Sequence, residues 1–99
     1  MDVKFVIKLV HEGRIQWQRH ALERMMERDI SRRDVKQVLI EGELIEDYPL
    51  PSGLIHGFDN ESPLHVVVAI DINIEWCYII TAYRPDSKHF EQDFKTRKK

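Results

Sequence analysis

A chain of 99 residues, 42% hydrophobic and 32% charged, has room for one core and therefore reads as a single domain over 1–99, with a polar tail at about 87–99. No stretch reaches the roughly 20 apolar residues that cross a bilayer. Lys4 and Lys8 break up any signal-peptide pattern and the single Cys77 excludes an internal disulfide, so cytoplasm is the expected compartment and no membrane partner is expected. The net charge of −2 argues against a dedicated polyanion binder, but it is unevenly spread. Residues 1–36 carry nine Lys/Arg against six Asp/Glu, residues 84–99 carry six against three, and residues 37–83 carry eight acids and no Lys or Arg. If the two ends meet, they make a basic surface on an acidic body.

From Asp2 to Glu12, Val3, Val6, Ile7 and Val10 follow helical spacing, with Asp2 placed to cap the start and Gly13 to end it; a short strand is the competing reading. Residues 18–29 give the clearest helix, because Ala21, Leu22, Met25 and Met26 fill one sector that should face the core. His20, Arg24 and Arg28 follow at i, i+4, i+8 along the border of that sector, while Glu23 and Glu27 lie toward solvent. Ser31 and Asp34 make a capping-box pattern that introduces a third helix through Val35, Val38 and Leu39 to about Gly42.

The period then changes to two. Strands are expected at 43–48, 54–58, 64–72 and 75–84, with a loop at 49–53 and a turn at 59–63. Pro85 stops the last strand, and 87–99 reads as a tail that is helical or frayed. Short connections make neighbouring strands antiparallel, so the expected fold is α+β, with N-terminal helices packed on one face of a four-stranded antiparallel sheet.

A histidine aligned with two arginines suits anionic chemistry, since imidazole exchanges protons near neutrality and guanidinium grips phosphate. The bland alternative is a solvated helix edge, with Arg24 and Arg28 paired to nearby acids for well under about 1 kcal/mol each. In the third strand, alternation puts His65 with Val67, Ala69 and Asp71 on the less apolar face, where a structural histidine is the alternative. ITAYRP (80–85) sets Thr81 and Tyr83 on one face and Arg84 on the other, just before a proline; Tyr83 reads equally as an amphipathic core edge. Cys77, between Trp76 and Tyr78, is expected as a buried small hydrophobe. The five histidines (His11, His20, His56, His65, His89) show no i, i+4 pair and no Cys-His cluster, so neither a metal nor another cofactor is expected.

The succession RHALERMMERDISRRDV (19–35), GELIEDYP (42–49), PLHVVVAID (63–71) and IITAYRPD (79–86) resembles an uncharacterised prokaryotic family, a domain of unknown function, over about residues 3–97. That family is in turn similar to the RelE/BrnT-type toxin fold, in which helices precede a curved antiparallel sheet whose face forms a metal-independent ribonuclease site. Tyr83 stands where that pattern places an arginine, with Arg84 one position later. The resemblance implies a toxin-type endoribonuclease that cleaves RNA by general acid/base catalysis. His20 or His65 would serve as base and acid and Tyr83 as an orienting donor, with Arg24, Arg28, Thr81 and Arg84 binding substrate. The implied partners are RNA and a cognate antitoxin protein, and a homo-oligomer is compatible with this reading. The alternative is a non-catalytic RNA- or protein-binding module related to such toxins, which the acidic middle favours.

Overall fold

The computed structural model describes residues 1–49 and 51–99. Helix α1 (Val3–His11) begins at Asp2, whose carboxylate accepts the Phe5 amide, and the chain leaves it through Gly13 at φ +73°. Then come β1 (Ile15–Trp17), α2 (Arg19–Glu27), α3 (Arg32–Glu41), β2 (Glu43–Asp47), β3 (Ser52–Asp59), β4 (Ser62–Asp71) and β5 (Trp76–Tyr83). Ser31 and Asp34 close the expected capping box, each side chain accepting the other residue's backbone N–H.

The strands form one sheet in the order β1-β5-β4-β3-β2. The pairs β2·β3, β3·β4 and β4·β5 are antiparallel, but β1 runs parallel to β5, with Ile15 opposite Cys77 and Trp17 opposite Ile79. The expected four-stranded antiparallel sheet is thus corrected, among the described residues, to a mixed sheet of five. Three residues are too few to show a period, and their partner lies far along the chain.

Three smaller expectations also change. Met26, expected in the core sector, is 82% exposed. Helix α2 docks through Ala21 and Met25 and ends at Glu27, and Asp29 at φ 56° redirects the chain before any neighbour covers Met26. Strand β3 begins at Ser52, inside the loop expected at 49–53, of which Leu50 lies outside the described residues. The tail is neither helical nor frayed, because Phe90 and Arg97 form an isolated antiparallel bridge and Phe90 is 2% exposed.

The inward helix residues Val6, Leu9, Ala21, Met25, Val35, Val38 and Leu39 share one buried cluster with Ile55, Leu64, Val66, Val68, Cys77, Ile79 and Ala82 of the sheet. Cys77 is a buried hydrophobe, as expected, with its thiol pKa pushed up to about 11 by burial. Among the described residues, no helix is long and apolar enough to cross a membrane.

Two single-residue bulges decide what the other sheet face carries. In β5 the register shifts between Thr81, opposite Val67, and Ile79, opposite Val68. Ile80 is therefore extra, and the inside–outside alternation inverts after it. Ile79 and Ala82 both face the helices, while Thr81 and Tyr83 come to the outer face, with Tyr83 opposite His65. In β2 the same device at Ile45 keeps Leu44 against the core and brings Glu46 to the outer face, opposite Leu54.

The turn from α3 into β2 has no room for a side chain at Gly42, where a Cβ would meet the Val38 and His56 carbonyl oxygens at 2.5 Å. Gly42→Ala should therefore destabilise the fold by about 1–3 kcal/mol. The measurement is a lower urea midpoint at unchanged m-value, and wild-type stability would show that the corner is not crowded.

Candidate functional site

Opposed on adjacent strands, His56 of β3 and His65 of β4 meet on the outer face, and Tyr83 of β5 completes the row. The His65 Nε2 lies 2.7 Å from the Phe94 carbonyl oxygen. A carbonyl can only accept, so that nitrogen carries the hydrogen, and Nδ1 of the neutral ring accepts from the Tyr83 hydroxyl at 3.3 Å. The same Nε2–H faces His56 Nδ1 at 3.1 Å, which must then be bare. The neutral His56 ring consequently holds its proton on Nε2, and this buried N–H has no hydrogen-bond partner among the described residues.

This arrangement suppresses charge. Burial lowers the His65 pKa to about 4, and the Phe94 carbonyl only partly opposes the shift. Burial, with the nearby Lys95 ammonium, also lowers His56, and burial raises the Tyr83 phenol. His65 is fully buried and engaged at both nitrogens.

The tail supplies the lid of this row and the charged groups beside it. Phe90 packs edge-on to His65 at a ring distance of 4.7 Å, and Phe94 holds left-handed backbone at φ 56°. Arg97 lies over the Phe90 ring and donates from Nε to Glu46 at 2.6 Å, and Tyr48 donates to the same carboxylate at 2.7 Å. The Arg97 bond holds the Glu46 carboxyl below its ordinary pKa. At the exit of β5 a cleft of about 230 Å³ is lined by Tyr83, Arg84, Asp86, His89, Phe90 and Arg97, among others. His89 Nδ1–H donates to Asp86 at 2.8 Å, which lowers the Asp86 pKa and leaves Nε2 of the exposed imidazole without a hydrogen-bond partner among the described residues. Arg84 is tied to Asp59 at 2.9 Å and to the Pro63 carbonyl.

Of the residues singled out from the sequence, the fold brings together His65 with Tyr83, and Arg28 with Thr81. Arg28 donates to the Ala82 carbonyl at 2.8 Å and reaches Thr81 Oγ1 at 3.4 Å, beyond the point where β1 stops covering β5. Arg24 pairs with Glu27 on its own helix, and His20 is exposed. Helix α2 lies on the helix-covered side and His65 on the other, so the sheet separates His20 and Arg24 from His65. The residues that sequence spacing did not raise are His56, Glu46, Asp86, His89 and Arg97. Asp86 at i−3 from His89 was a readable local signal, whereas nothing local points Arg97 at Glu46. Among the described residues, no group of three or more His, Cys, Asp or Glu is arranged to hold a metal ion.

Residues 17–84, about two thirds of the chain, match a family described as Domain of unknown function (DUF4258). The chain belongs to the DUF4258 family. No curated protein and no solved structure matches it. The DUF4258 segment contains Glu46, His56, His65 and Tyr83, while Phe94, His89 and Arg97 come from the tail beyond it.

A histidine whose folded pKa is about 4 against an ordinary 6.5 binds its proton more readily unfolded. Its contribution to stability is thus complete above about pH 6.5 and is lost as pH falls toward 4, at most about 3 kcal/mol. Urea midpoints taken from pH 7 to 4.5 should fall, and His65→Leu should flatten that dependence. An equally steep fall in the variant would assign the acid sensitivity to other groups.

Proposed function

We propose that this chain is a metal-independent endoribonuclease of toxin type, with its chemistry in the cleft at the exit of β5. The observation that carries the reading is the convergence there of the Asp86–His89 pair, two guanidinium groups and Tyr83 around a space of about 230 Å³. The resemblance of the helix and strand motifs to RelE/BrnT-type toxins supports it. His89 Nε2 takes the proton of a ribose 2′-OH, the 2′-oxygen bonds to phosphorus, and the bond to the 5′-oxygen breaks, that oxygen taking a proton from solvent. The products are a 2′,3′-cyclic phosphate and a 5′-hydroxyl. Arg97 spends two of its five N–H donors on Glu46, and the remainder, with Arg84, steady the charge on the pentacovalent phosphate. The His65 ring fixes the Tyr83 hydroxyl from beneath. A small antitoxin, acting as inhibitor, is the protein partner this reading entails.

One observation favours the second reading, a non-catalytic RNA- or protein-binding module. Arg84 and Arg97 are each already paired with a carboxylate, Asp59 and Glu46, so the cleft carries little net positive charge.

Incubation of the purified protein with RNA in EDTA should yield 2′,3′-cyclic phosphate ends. His89→Ala, at an exposed position, should slow the reaction on the order of 100-fold, while His20→Ala should leave it unchanged. Cleavage unaffected by His89→Ala would remove this cleft from the mechanism. A log-log salt slope of about −1.4 fits two single-strand phosphate contacts. That slope without cleavage would favour the binding module, and a slope near zero would reject RNA under both readings.

A further inference from the structure

On the other side of the tail from the β5 cleft, a larger cleft of about 490 Å³ opens between α3, the start of β2 and the β3–β4 turn. Its lining includes Glu41, Glu43, His56, Phe58, Glu61 and Lys95. We propose that it docks an arginine-bearing peptide segment of a partner protein. This assignment rests on none of the nuclease chemistry above.

The first requirement on an occupant comes from His56, 3% exposed, whose unpartnered Nε2–H needs an oxygen acceptor. A buried donor left unpaired loses its hydration without compensation, a loss that an acceptor oxygen recovers. The second comes from charge. Three carboxylates face the cleft against one ammonium, and Lys95 is already 2.6 Å from Glu43. Glu41 and Glu61 make no ion pair among the described residues. A phosphate-bearing ligand supplies the acceptor but is repelled by this rim, and a metal cation or simple amine satisfies the rim but offers His56 no acceptor. A peptide carries both, a main-chain carbonyl for the His56 N–H and a cationic side chain for the carboxylates. Phe58, 52% exposed and edge-on to the His56 ring, favours arginine over lysine, because a planar guanidinium stacks on an aromatic face while its N–H groups bind carboxylate in pairs. Glu61 sits at φ 73° in the hairpin turn, where glycine would be unstrained, and so keeps a carboxylate at the rim.

The test titrates capped Ala-Arg-Ala peptide into the ¹⁵N-labelled full chain, with the citrulline analogue, neutral and of the same shape, as control. Saturable shifts are expected at residues 41–43 and 56–61 and on the His56 Nε2–H resonance. The citrulline peptide should bind at least about tenfold more weakly, and E41Q/E61Q should weaken the arginine peptide by a similar factor. Both acids are exposed, so the double variant should keep the wild-type urea midpoint. No saturable shift up to about 20 mM peptide would overturn the proposal, because a site weaker than that recognises nothing. So would equal binding of the citrulline peptide, or saturation by guanosine in place of the peptide, which would make the cleft a base pocket.

Discussion

The hydrogen bond from His65 Nε2–H to the Phe94 carbonyl is the constraint on which the outer face of the sheet depends. It fixes one tautomer, and that tautomer fixes the next. Tyr83 must donate to His65, and His56 must carry its proton on Nε2. It also holds the tail across β3 and β4. Without it, the carbonyl of Phe94 and the imidazole of His65 would both be buried polar groups in search of partners, and Phe94 would have no reason to occupy left-handed backbone, which costs an aromatic residue about 1–2 kcal/mol.

Charge acts in the same direction. The acidic middle of the chain and its basic end do not produce two opposed surfaces; they zip together, with Lys95 on Glu43, Arg97 on Glu46 and Arg84 on Asp59, while the N-terminal ammonium meets Asp47. Exposed pairs of this kind contribute little to stability. Burial of Phe90 adds roughly 1.5–3 kcal/mol, so the tail is held mainly by one aromatic ring and one carbonyl, with charge selecting its register. Such a segment opens at lower free energy than the core does. Three of the six Lys/Arg in residues 84–99 and the N-terminal ammonium are therefore spent internally, and the two clefts that flank the tail have different electrostatic characters, one rimmed by paired arginines and the other by unpaired glutamates.

Helices were legible where period and cap agree. Asp2, the Ser31–Asp34 box and the stripe Val35, Val38, Leu39 each carry their signal within a few residues. The strands β3, β4 and β5 were legible as apolar alternation. What sequence spacing could not give were the features set by distant partners. Ile15, Gln16 and Trp17 become a strand only because Cys77–Ile79 offers an edge. The bulges at Ile80 and Ile45 are invisible to alternation, yet they decide the face on which Tyr83 and Glu46 stand. His65 and Tyr83 were found from their strands, and the fold places them together. His20 and Arg24 were read from one helix face, which says nothing of what lies across the sheet. His56 escaped notice because its strand is buried on both faces, leaving no contrast for a polar residue to break.

The position of β5 carries one further consequence. It lies between β1 and β4, so β1 and the strand preceding β5 are joined only through a segment that a ribosome delivers after both of them. During synthesis, β2, β3 and β4 can form a meander by local hairpins, but Ile15–Trp17 must wait without a partner. Closing the sheet is thus a late, long-range event with a correspondingly high entropic barrier. Until Trp76–Tyr83 has emerged, the nascent chain exposes the edge of β4 and the apolar undersides of α1 and α2, the interval in which it is most exposed to aggregation and to proteolysis.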